Sequence, residues 1–493
     1  LEISMMGNKK TYGATIDSFL LTIVKIMTAG IGIIISKILS VSFSLEAYGT
    51  YAQALLIVST VCSITILGLT DATNYFFNSQ DEDECKKYIS TIFCIQYIVG
   101  IIGCIALCIF GKIICSLFKN DNLLIYIFVI SLQPMINNLL AMLQILFVSI
   151  GNAKFLAIRN FIISIFNLLI ACISAYLFQN IMLVLLLQGI MTLLQVIYFM
   201  YLFAKKKFLI DIRWFSKDKI KEILKFGLPM AIFVATNAIS RDIDRYVIGF
   251  FENTESLAIY TNAAKVLPFD FLSSSFVTIL LPILTRQISQ QNFRDAQESY
   301  KIYLRIGYLT IWVIVACVIF NAKEFMIVLY DEKYLSGLNI FVIYLFSDLF
   351  RFANTSFVLS AKGKTKTLMI LSVVALSVNF ILNIVCYLLM GTIGPAISTL
   401  LITVILSVVT LFLSAKELNT SIFKIVDFKE VMAIIIQIVG LGAILLVVKY
   451  YVIKFYYNAF MVIILFSIIF IGIFLMLNAK KIKNCFKMAN NLN

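Results

Sequence analysis

The chain contains no histidine among its 493 residues. This absence excludes a zinc site with imidazole ligands, and it leaves any proton relay to carboxylates. Ten cysteines are scattered along the sequence without a C-x-x-C pair, which argues against both a disulfide framework and a cysteine-based metal site. We therefore predict no metal and no bound cofactor, and we interpret the cysteines as small buried apolar residues.

Charged residues are also scarce, since they make up 13% of the chain against 61% hydrophobic residues, with a mean hydropathy of +0.99. A soluble globular domain is closer to half apolar and a quarter charged. The sequence therefore predicts an integral membrane protein. It has no G-x-x-x-x-G-K-[ST] loop and no long external loop that would hold a catalytic domain. Transport without ATP hydrolysis by this chain, rather than an enzymatic reaction, is the expected activity.

Apolar runs long enough to cross a bilayer recur along the whole chain. A helix needs roughly 20 apolar residues to span the hydrocarbon core, and we count about fourteen such runs by this criterion. The fold class predicted is an all-α, polytopic membrane protein. The predicted spans are 12–40, 50–78, 88–111, 122–150, 155–178, 181–204, 227–251, 257–284, 300–320, 335–360, 367–390, 393–415, 430–448 and 455–478. Pro134, Pro268 and Pro282 interrupt predicted spans and predict bends.

The net charge of +14 has a topological explanation. With the N-terminus inside, the even-numbered loops and both termini hold about 27 of the 40 basic residues, and the odd-numbered loops hold about seven. This is the positive-inside asymmetry. It predicts cytoplasmic termini and no nucleic-acid partner. The first apolar stretch is too long for a cleaved signal peptide and carries Lys25, so a retained first span is predicted.

Two halves of the chain resemble each other at a shift of about 210 residues. The segment 46–51 aligns with 255–260, the segment 151–154 with 363–366, and Asn167 with Asn379. Six spans in each half make the repeats parallel, because an even number of spans returns the chain to its starting side. We predict a first bundle at 1–204, a basic linker at 205–226, a second bundle at 227–415, and two added helices with a basic tail at 416–493.

Charges inside predicted spans are the candidate functional groups, because an ionisable group at bilayer depth costs roughly 2.5–3.5 kcal/mol on insertion scales. We predict that the basic ones line a cationic cavity and bind an anionic headgroup, with Arg gripping phosphate oxygens in a bidentate manner. Carboxylates are the candidates for binding a coupling proton or Na⁺. Arg305, near the end of its span, is interpreted as a structural anchor. The substrate-binding candidates are Lys25, Arg241, Arg245, Lys265 and Arg351, and the ion-coupling candidates are Asp242, Asp244, Asp270 and Asp348.

Several short motifs resemble a known family. The chain reads LEAYGTY at 45–51 and LGL at 67–69, and then FGLP at 226–229 and DRYVIG at 244–249. These resemble the polysaccharide-exporter branch of the multidrug/oligosaccharidyl-lipid/polysaccharide (MOP) superfamily, and within it the O-antigen and capsule repeat-unit flippases of the Wzx type. The resemblance covers essentially the whole chain, and it carries over only Asp244 and Arg245 by position.

The resemblance implies two six-helix bundles that form a V around a central cavity and alternate between inward-open and outward-open states. It implies that the cargo is an oligosaccharide on undecaprenyl pyrophosphate, moved across a bacterial plasma membrane. Membrane lipids, a polysaccharide polymerase and chain-length machinery are the expected partners. The alternatives are a lipid II flippase, a cation-coupled drug exporter, a membrane polysaccharide polymerase or ligase, and a structural scaffold of the membrane.

Overall fold

The computed structural model describes residues 11–79, 81–150, 153–205, 210–265, 280–281, 283–354, 356–455 and 458–490. These residues are almost entirely helical, and no strand occurs among them. The predicted all-α class is therefore confirmed. Asp270, Pro268, Pro282 and the N-terminal Lys9 and Lys10 lie outside the described residues.

The chain divides into two compact units. Unit 1 comprises Leu1–Phe43, Ala54–Ser116 and Asn120–Ala235, and unit 2 comprises Ser44–Gln53, Leu117–Lys119 and Thr236–Asn493. The predicted bundle and linker boundaries, and the V shape implied by the resemblance, stay predictions. Residues 217–226 of the predicted linker are the first turns of a long helix that continues to Phe251.

The helices of the first part of the chain are α1 (Thr11–Ser42), α2 (Leu45–Thr65), α3 (Leu69–Ser79), α4 (Glu82–Leu117), α5 (Leu123–Ile130), α6 (Gln133–Ser149), α7 (Ala153–Cys172), α8 (Met182–Lys205) and α9 (Lys217–Phe251). In unit 1, α1 packs on α7, and α6 packs between α3 and α8. Its core contains Phe76, Tyr88, Leu143 and Phe199. Ile223 from the start of α9 is fully buried in the same core. The first turns of α9 are therefore an integral part of unit 1.

The helices of the second part are α10 (Thr254–Ala263), α11 (Phe293–Phe320), α12 (Ala322–Leu329), α13 (Leu338–Arg351), α14 (Phe357–Ala361), α15 (Thr365–Met390), α16 (Gly394–Glu417), α17 (Ile422–Ile425), α18 (Phe428–Phe455) and α19 (Ala459–Asn490). In unit 2, α16 packs against both α13 and α15, and α11 packs against α13, α18 and α19. The helix α11 is central to unit 2, and most of its residues are buried.

Eleven candidate membrane spans are found among the described residues, by length and composition. One candidate, Lys366–Glu417, contains two of the predicted spans, which the structure separates into α15 and α16. The predicted span 257–284 lies partly outside the described residues. The predicted span 335–360 is broken into α13 and shorter helices, and the 14 residues of α13 measure only about 21 Å. Twelve of the fourteen predicted spans therefore overlap candidate membrane spans, although 50–78 is broken between α2 and α3 and 122–150 between α5 and α6.

Helix breaks inside the apolar runs occur at residues with special backbone properties. Gly391 has a φ of +63° between α15 and α16, and a side chain at the neighbouring Gly394 would meet the carbonyl oxygen of Cys386. Gly68 has a φ of +66°, and a side chain added there would meet the carbonyl oxygen of Gly227. Pro134 is in the first turn of α6, directly after the break that follows α5. The predicted bend at this proline is thus a break between two helices.

Candidate functional site

Four charged residues in one short segment of α9 are divided between the protein interior and the helix surface. The guanidinium of Arg245 donates from Nη1 to Oδ1 of Asp242 at 2.8 Å. Asp242 is 9% exposed and Asp244 is 1% exposed, whereas Arg241 is exposed. Of the two possible i,i+3 pairs in this segment, the structure forms Asp242–Arg245 as the ion pair. Arg241 therefore presents its charge at the surface of unit 2.

Asp244 is held by neutral donors. Its Oδ2 accepts a hydrogen bond from the hydroxyl of Tyr260 at 3.2 Å, and its Oδ1 accepts from the backbone N–H of Arg245 at 2.9 Å. The hydroxyl of Tyr260 lies 3.4 Å from that of Tyr344. The three side chains come from α9, α10 and α13, and all are buried. A carboxylate in this setting can bind a single proton, because its neutral form needs no partner of opposite charge.

Lys265 follows directly after α10 and is half-buried. It lies within electrostatic range of Arg245, and the two like charges repel each other. One turn earlier, Oδ1 of the buried Asn262 accepts a hydrogen bond from the hydroxyl of Tyr48 at 2.8 Å. The structure thus brings two predicted cationic residues, Arg245 and Lys265, near each other in unit 2.

Asp348 and Arg351 form an ion pair near the end of α13, with 3.5 Å between Oδ1 and Nη1. The end of this helix is fixed by three side-chain donors that bind its last carbonyl oxygens. Trp312 donates to the carbonyl of Leu349, Ser407 to that of Phe350, and Tyr303 to that of Phe352. This fixed helix end positions Arg351, whose side chain is 26% exposed.

Lys25 lies on α1, in unit 1, and is exposed. The other described candidates all lie in unit 2. The predicted cationic cavity that joins Lys25 to those residues stays a prediction. Within unit 2, Arg245 and Arg351 each already contact a carboxylate. Two of the predicted substrate-binding arginines therefore already share their charge with a carboxylate.

Several charged and polar groups in the helices were not identified from the sequence. Arg159 on α7 is 8% exposed, donates to Asn160 and lies 4.9 Å from the centre of the Phe199 ring. Lys449 on α18 donates to the carboxylate of the buried Glu324 at 2.7 Å, and the side chain of Lys449 is 11% exposed. Only Arg159 had a direct sequence signal, as a lone basic residue within a predicted span. The other pair joins residues far apart in the chain, so no local spacing reveals it.

An amide and hydroxyl network connects three helices of unit 2. The side-chain nitrogen of Asn383 donates to the side-chain oxygen of Asn379 at 2.8 Å and contacts Ser398 at 3.2 Å. Asn379 in turn donates to the carbonyl of Ser240 on α9 at 3.3 Å. This network fixes α15 and α16 against the segment of α9 that carries the charged cluster.

The residues that the structure describes contain no group of three or more His, Cys, Asp or Glu side chains able to hold a metal ion. Unit 2 instead contains an exposed cationic group, Arg241, and a half-buried one, Lys265, and each of these charges attracts anions. It also contains a carboxylate, Asp244, that is 1% exposed and accepts hydrogen bonds from neutral donors, as a site for a monovalent cation or proton. No covalent chemistry is suggested by these side chains.

Comparison with solved structures identifies the fold. The structure of the lipid II flippase MurJ in an inward closed conformation is similar to this chain, with a TM-score of 0.74 and 18% identity, over 94% of this chain and 100% of that one. A MATE transporter in complex with MaL6 gives a TM-score of 0.54 and 15% identity, over 82% and 96% of the two chains. A MOP superfamily transporter from Pyrococcus furiosus gives 0.56 and 13%, over 82% and 94%. These likenesses confirm a polytopic transporter fold.

A search of curated protein sequences found no match. A family model described as polysaccharide biosynthesis protein matches residues 35–338. This region covers more than half of the chain and includes α9 with its charged cluster. The superfamily resemblance seen in the sequence is therefore confirmed, and this multi-pass membrane protein belongs to the polysaccharide biosynthesis family, within the MOP superfamily.

Proposed function

We propose that the protein is a flippase that moves an undecaprenyl-pyrophosphate-linked oligosaccharide repeat unit from the inner to the outer leaflet of the bacterial plasma membrane. The glycan would serve O-antigen or capsule assembly. The family match over residues 35–338 is the observation that carries this proposal. The physical need is a path for a polar glycan, because its hydroxyl groups do not cross hydrocarbon without hydrogen-bonding partners.

The cationic groups of unit 2 support an anionic cargo. Arg241 is exposed, and Lys265 and Arg245 lie close enough to repel each other. A pyrophosphate placed near them would relieve this repulsion and gain charge-assisted hydrogen bonds. Lys25 and Arg351 are proposed as further contacts to the headgroup or the sugar. The termini are proposed to be cytoplasmic, and a polymerase with chain-length machinery would receive the product.

A lipid II flippase is the second candidate. The solved structure described as a lipid II flippase aligns with 94% of this chain, which is a longer alignment than the 82% found for the MATE transporters. Both candidate substrates carry a polyprenyl pyrophosphate, so the cationic groups suit either one. The nature of the sugar moiety therefore has to be decided by experiment. Drug export, polymerisation and ligation have no specific feature of the described residues in their favour.

Reconstitution in vesicles tests the proposal directly. Purified protein would be inserted into liposomes with fluorescent undecaprenyl-pyrophosphate oligosaccharide or with fluorescent lipid II in one leaflet. We expect protein-dependent movement of the oligosaccharide lipid, measured by a membrane-impermeant quencher, and little movement of lipid II. The opposite preference would support the second candidate, and movement of neither lipid would contradict both.

We also propose that Asp244 binds the coupling proton. It is the least exposed carboxylate of the cluster, it accepts hydrogen bonds from Tyr260 and the Arg245 backbone, and the guanidinium of Arg245 contacts Asp242 instead. Protonation would neutralise it without breaking an ion pair. Asp242, Asp348 and Asp270 remain the other proposed coupling carboxylates, and Na⁺ remains the other proposed coupling ion.

Replacement of Asp244 by Asn should separate coupling from transport. We expect Asp244→Asn vesicles to move lipid down its own gradient but to lose acceleration by an imposed pH gradient, because the side chain no longer changes its charge. The matched control is Asp218→Asn, which removes an exposed carboxylate at the start of the same helix, outside the candidate site. An undiminished response to the pH gradient in Asp244→Asn would exclude this role.

A further inference from the structure

Unit 1 contains an apolar pocket that the proposed transport does not use. Its volume is about 410 Å³, which falls within the roughly 300–1,000 Å³ typical of small-molecule sites. Three membrane helices and the segment before α9 form its walls. The lining residues are Ser90, Phe93, Cys94, Tyr97, Ile98, Leu139, Leu143, Val196, Met200, Ile210 and Asp211.

The floor and the rim of this pocket differ in exposure. Phe93 and Leu143 are buried at the floor, whereas Tyr97 and Ile98 are 53% and 55% exposed. These exposed residues lie on α4, which is long and apolar enough to span the membrane. The solvent at the rim is therefore lipid. Because an apolar cavity disfavours water and an empty one forfeits dispersion contacts, a hydrocarbon chain is the occupant that fits this space.

One end of the pocket is polar and lies outside the spans. Asp211 lines it there, and Arg213 donates from Nε to Oδ2 of Asp211 at 2.8 Å. This hydrogen bond holds the pKa of the Asp211 carboxyl below its usual value. The side chain of Arg213 is 82% exposed, and its guanidinium has five N–H donors, of which Asp211 uses those on Nε and Nη2. A phosphate at this end of the pocket would find donors on the guanidinium.

We propose that this pocket binds one membrane phospholipid, with an acyl chain between α4, α6 and α8 and the phosphate at Arg213. By the predicted topology this is the cytoplasmic leaflet. The inference is independent of the transport function, since it requires neither the charged cluster of α9 nor a transported substrate. The lipid would fill the groove beside the segment that leads into α9, and so would stabilise that segment against unit 1.

Photo-crosslinking tests the acyl-chain site in the unaltered, full-length protein. Phosphatidylglycerol with a diazirine in its acyl chain would be added to the protein in detergent, and the labelled peptides would be mapped by mass spectrometry. We expect labels concentrated in 90–98, 139–143 and 196–200. Uniform labelling of all lipid-facing helices would overturn the proposal. Protection by undecaprenyl phosphate but not by unlabelled phosphatidylglycerol would overturn it as well, because the site would then bind isoprenoid chains.

Two cysteines on α4 provide a matched pair of filling variants. Cys94 lines the pocket, and Cys108 is similarly half-buried on the same helix but outside the lining. We expect Cys94→Trp to reduce labelling roughly tenfold and Cys108→Trp to leave it unchanged, a difference of about 1.4 kcal/mol in binding. Equal labelling of both folded variants would contradict the assignment of the pocket. If Cys94→Trp does not fold, the positions of the labelled peptides in the unaltered protein decide whether the pocket binds the acyl chain.

The phosphate contact has a separate test. Diacylglycerol has the same chains as phosphatidylglycerol and lacks the phosphate. We expect Arg213→Gln to reduce phosphatidylglycerol labelling several-fold, to roughly the level that diacylglycerol reaches on the unaltered protein, because one charged hydrogen-bonding partner is lost. The same variant should not change diacylglycerol labelling. An equal loss with both lipids, or no loss with either, would overturn the role of Arg213.

Discussion

Removal of the charge at Lys449 should destabilise the protein by about 3–5 kcal/mol, the range found when one partner of a buried ion pair is lost. Lys449 and Glu324 have side-chain exposures of 11% and 5%, and Lys449 also donates to the carbonyl of Phe320 at 3.0 Å. The variant Lys449→Met therefore leaves a buried carboxylate and a buried carbonyl without their donor. Unfolding of the detergent-solubilised protein by denaturant measures the loss.

The double variant Glu324→Gln with Lys449→Met is the control. It removes both charges together, and replacement of a buried pair by neutral groups of similar volume is often close to neutral for stability. We expect it to recover most of the loss of the single variant. A single variant within 1 kcal/mol of the parent would contradict the assignment of a dehydrated pair.

Loss of the positive charge at Arg241 and Arg245 should stop transport if these residues bind pyrophosphate. Truncating one side of a desolvated charged contact costs about 2–5 kcal/mol, so we expect transport to fall on the order of 100-fold. The measurement is the vesicle assay for oligosaccharide lipid, together with surface glycan in cells and the amount of protein in the membrane. An exposed residue at the start of α11 provides the control, Arg294→Gln, which removes one positive charge outside the candidate site.

The ion pair between Asp242 and Arg245 calls for a further variant in this experiment. Arg245 is the partner of Asp242, so Arg245→Gln alone would fail through the unpaired carboxylate as well as through lost substrate binding. The double variant Asp242→Asn with Arg245→Gln removes both charges and keeps the local balance. If transport recovers in the double variant, Arg245 is a structural partner of Asp242. If transport stays absent in the folded double variant while Asp242→Asn alone still transports, Arg245 binds the substrate.

Hydropathy and run length were sufficient to predict the membrane class and most of the helices. Where they were misleading, the helix end depended on contacts with residues distant in the sequence. The predicted span at 335–360 is mostly apolar in sequence, but its helix ends at Arg351, where side chains from α11 and α16 bind the carbonyls of Leu349 and Phe350. Such donors lie far away in sequence, and hydropathy contains no signal for them.

The ion pairs of the charged residues were also difficult to predict from the sequence. The i,i+3 spacing allowed two pairs within 241–245, and only the structure shows that Asp242–Arg245 forms while Arg241 faces outward. Arg305 was interpreted as an anchor from its depth alone. The structure adds its partner, Glu430, which accepts from Nε and Nη2 at 2.9 and 2.7 Å. That carboxylate is also 4.0 Å from Lys481. The sequence locates the charged residues within the predicted spans. Their ion-pair partners are set by the tertiary packing and are seen only in the structure.

The two ion pairs of α11 and α12 with α18 have a consequence for the order of synthesis. Glu324 and Lys449 are separated by 125 residues, and so are Arg305 and Glu430. At a synthesis rate of about 5–20 residues per second, each earlier charge waits roughly 6–25 s before its partner leaves the ribosome. During that interval the nascent chain holds an arginine and a glutamate whose native partners do not yet exist. The helix α18 therefore supplies the partners of two charged residues in helices that are made earlier. A nascent chain that stops before α18 keeps both charges without these partners.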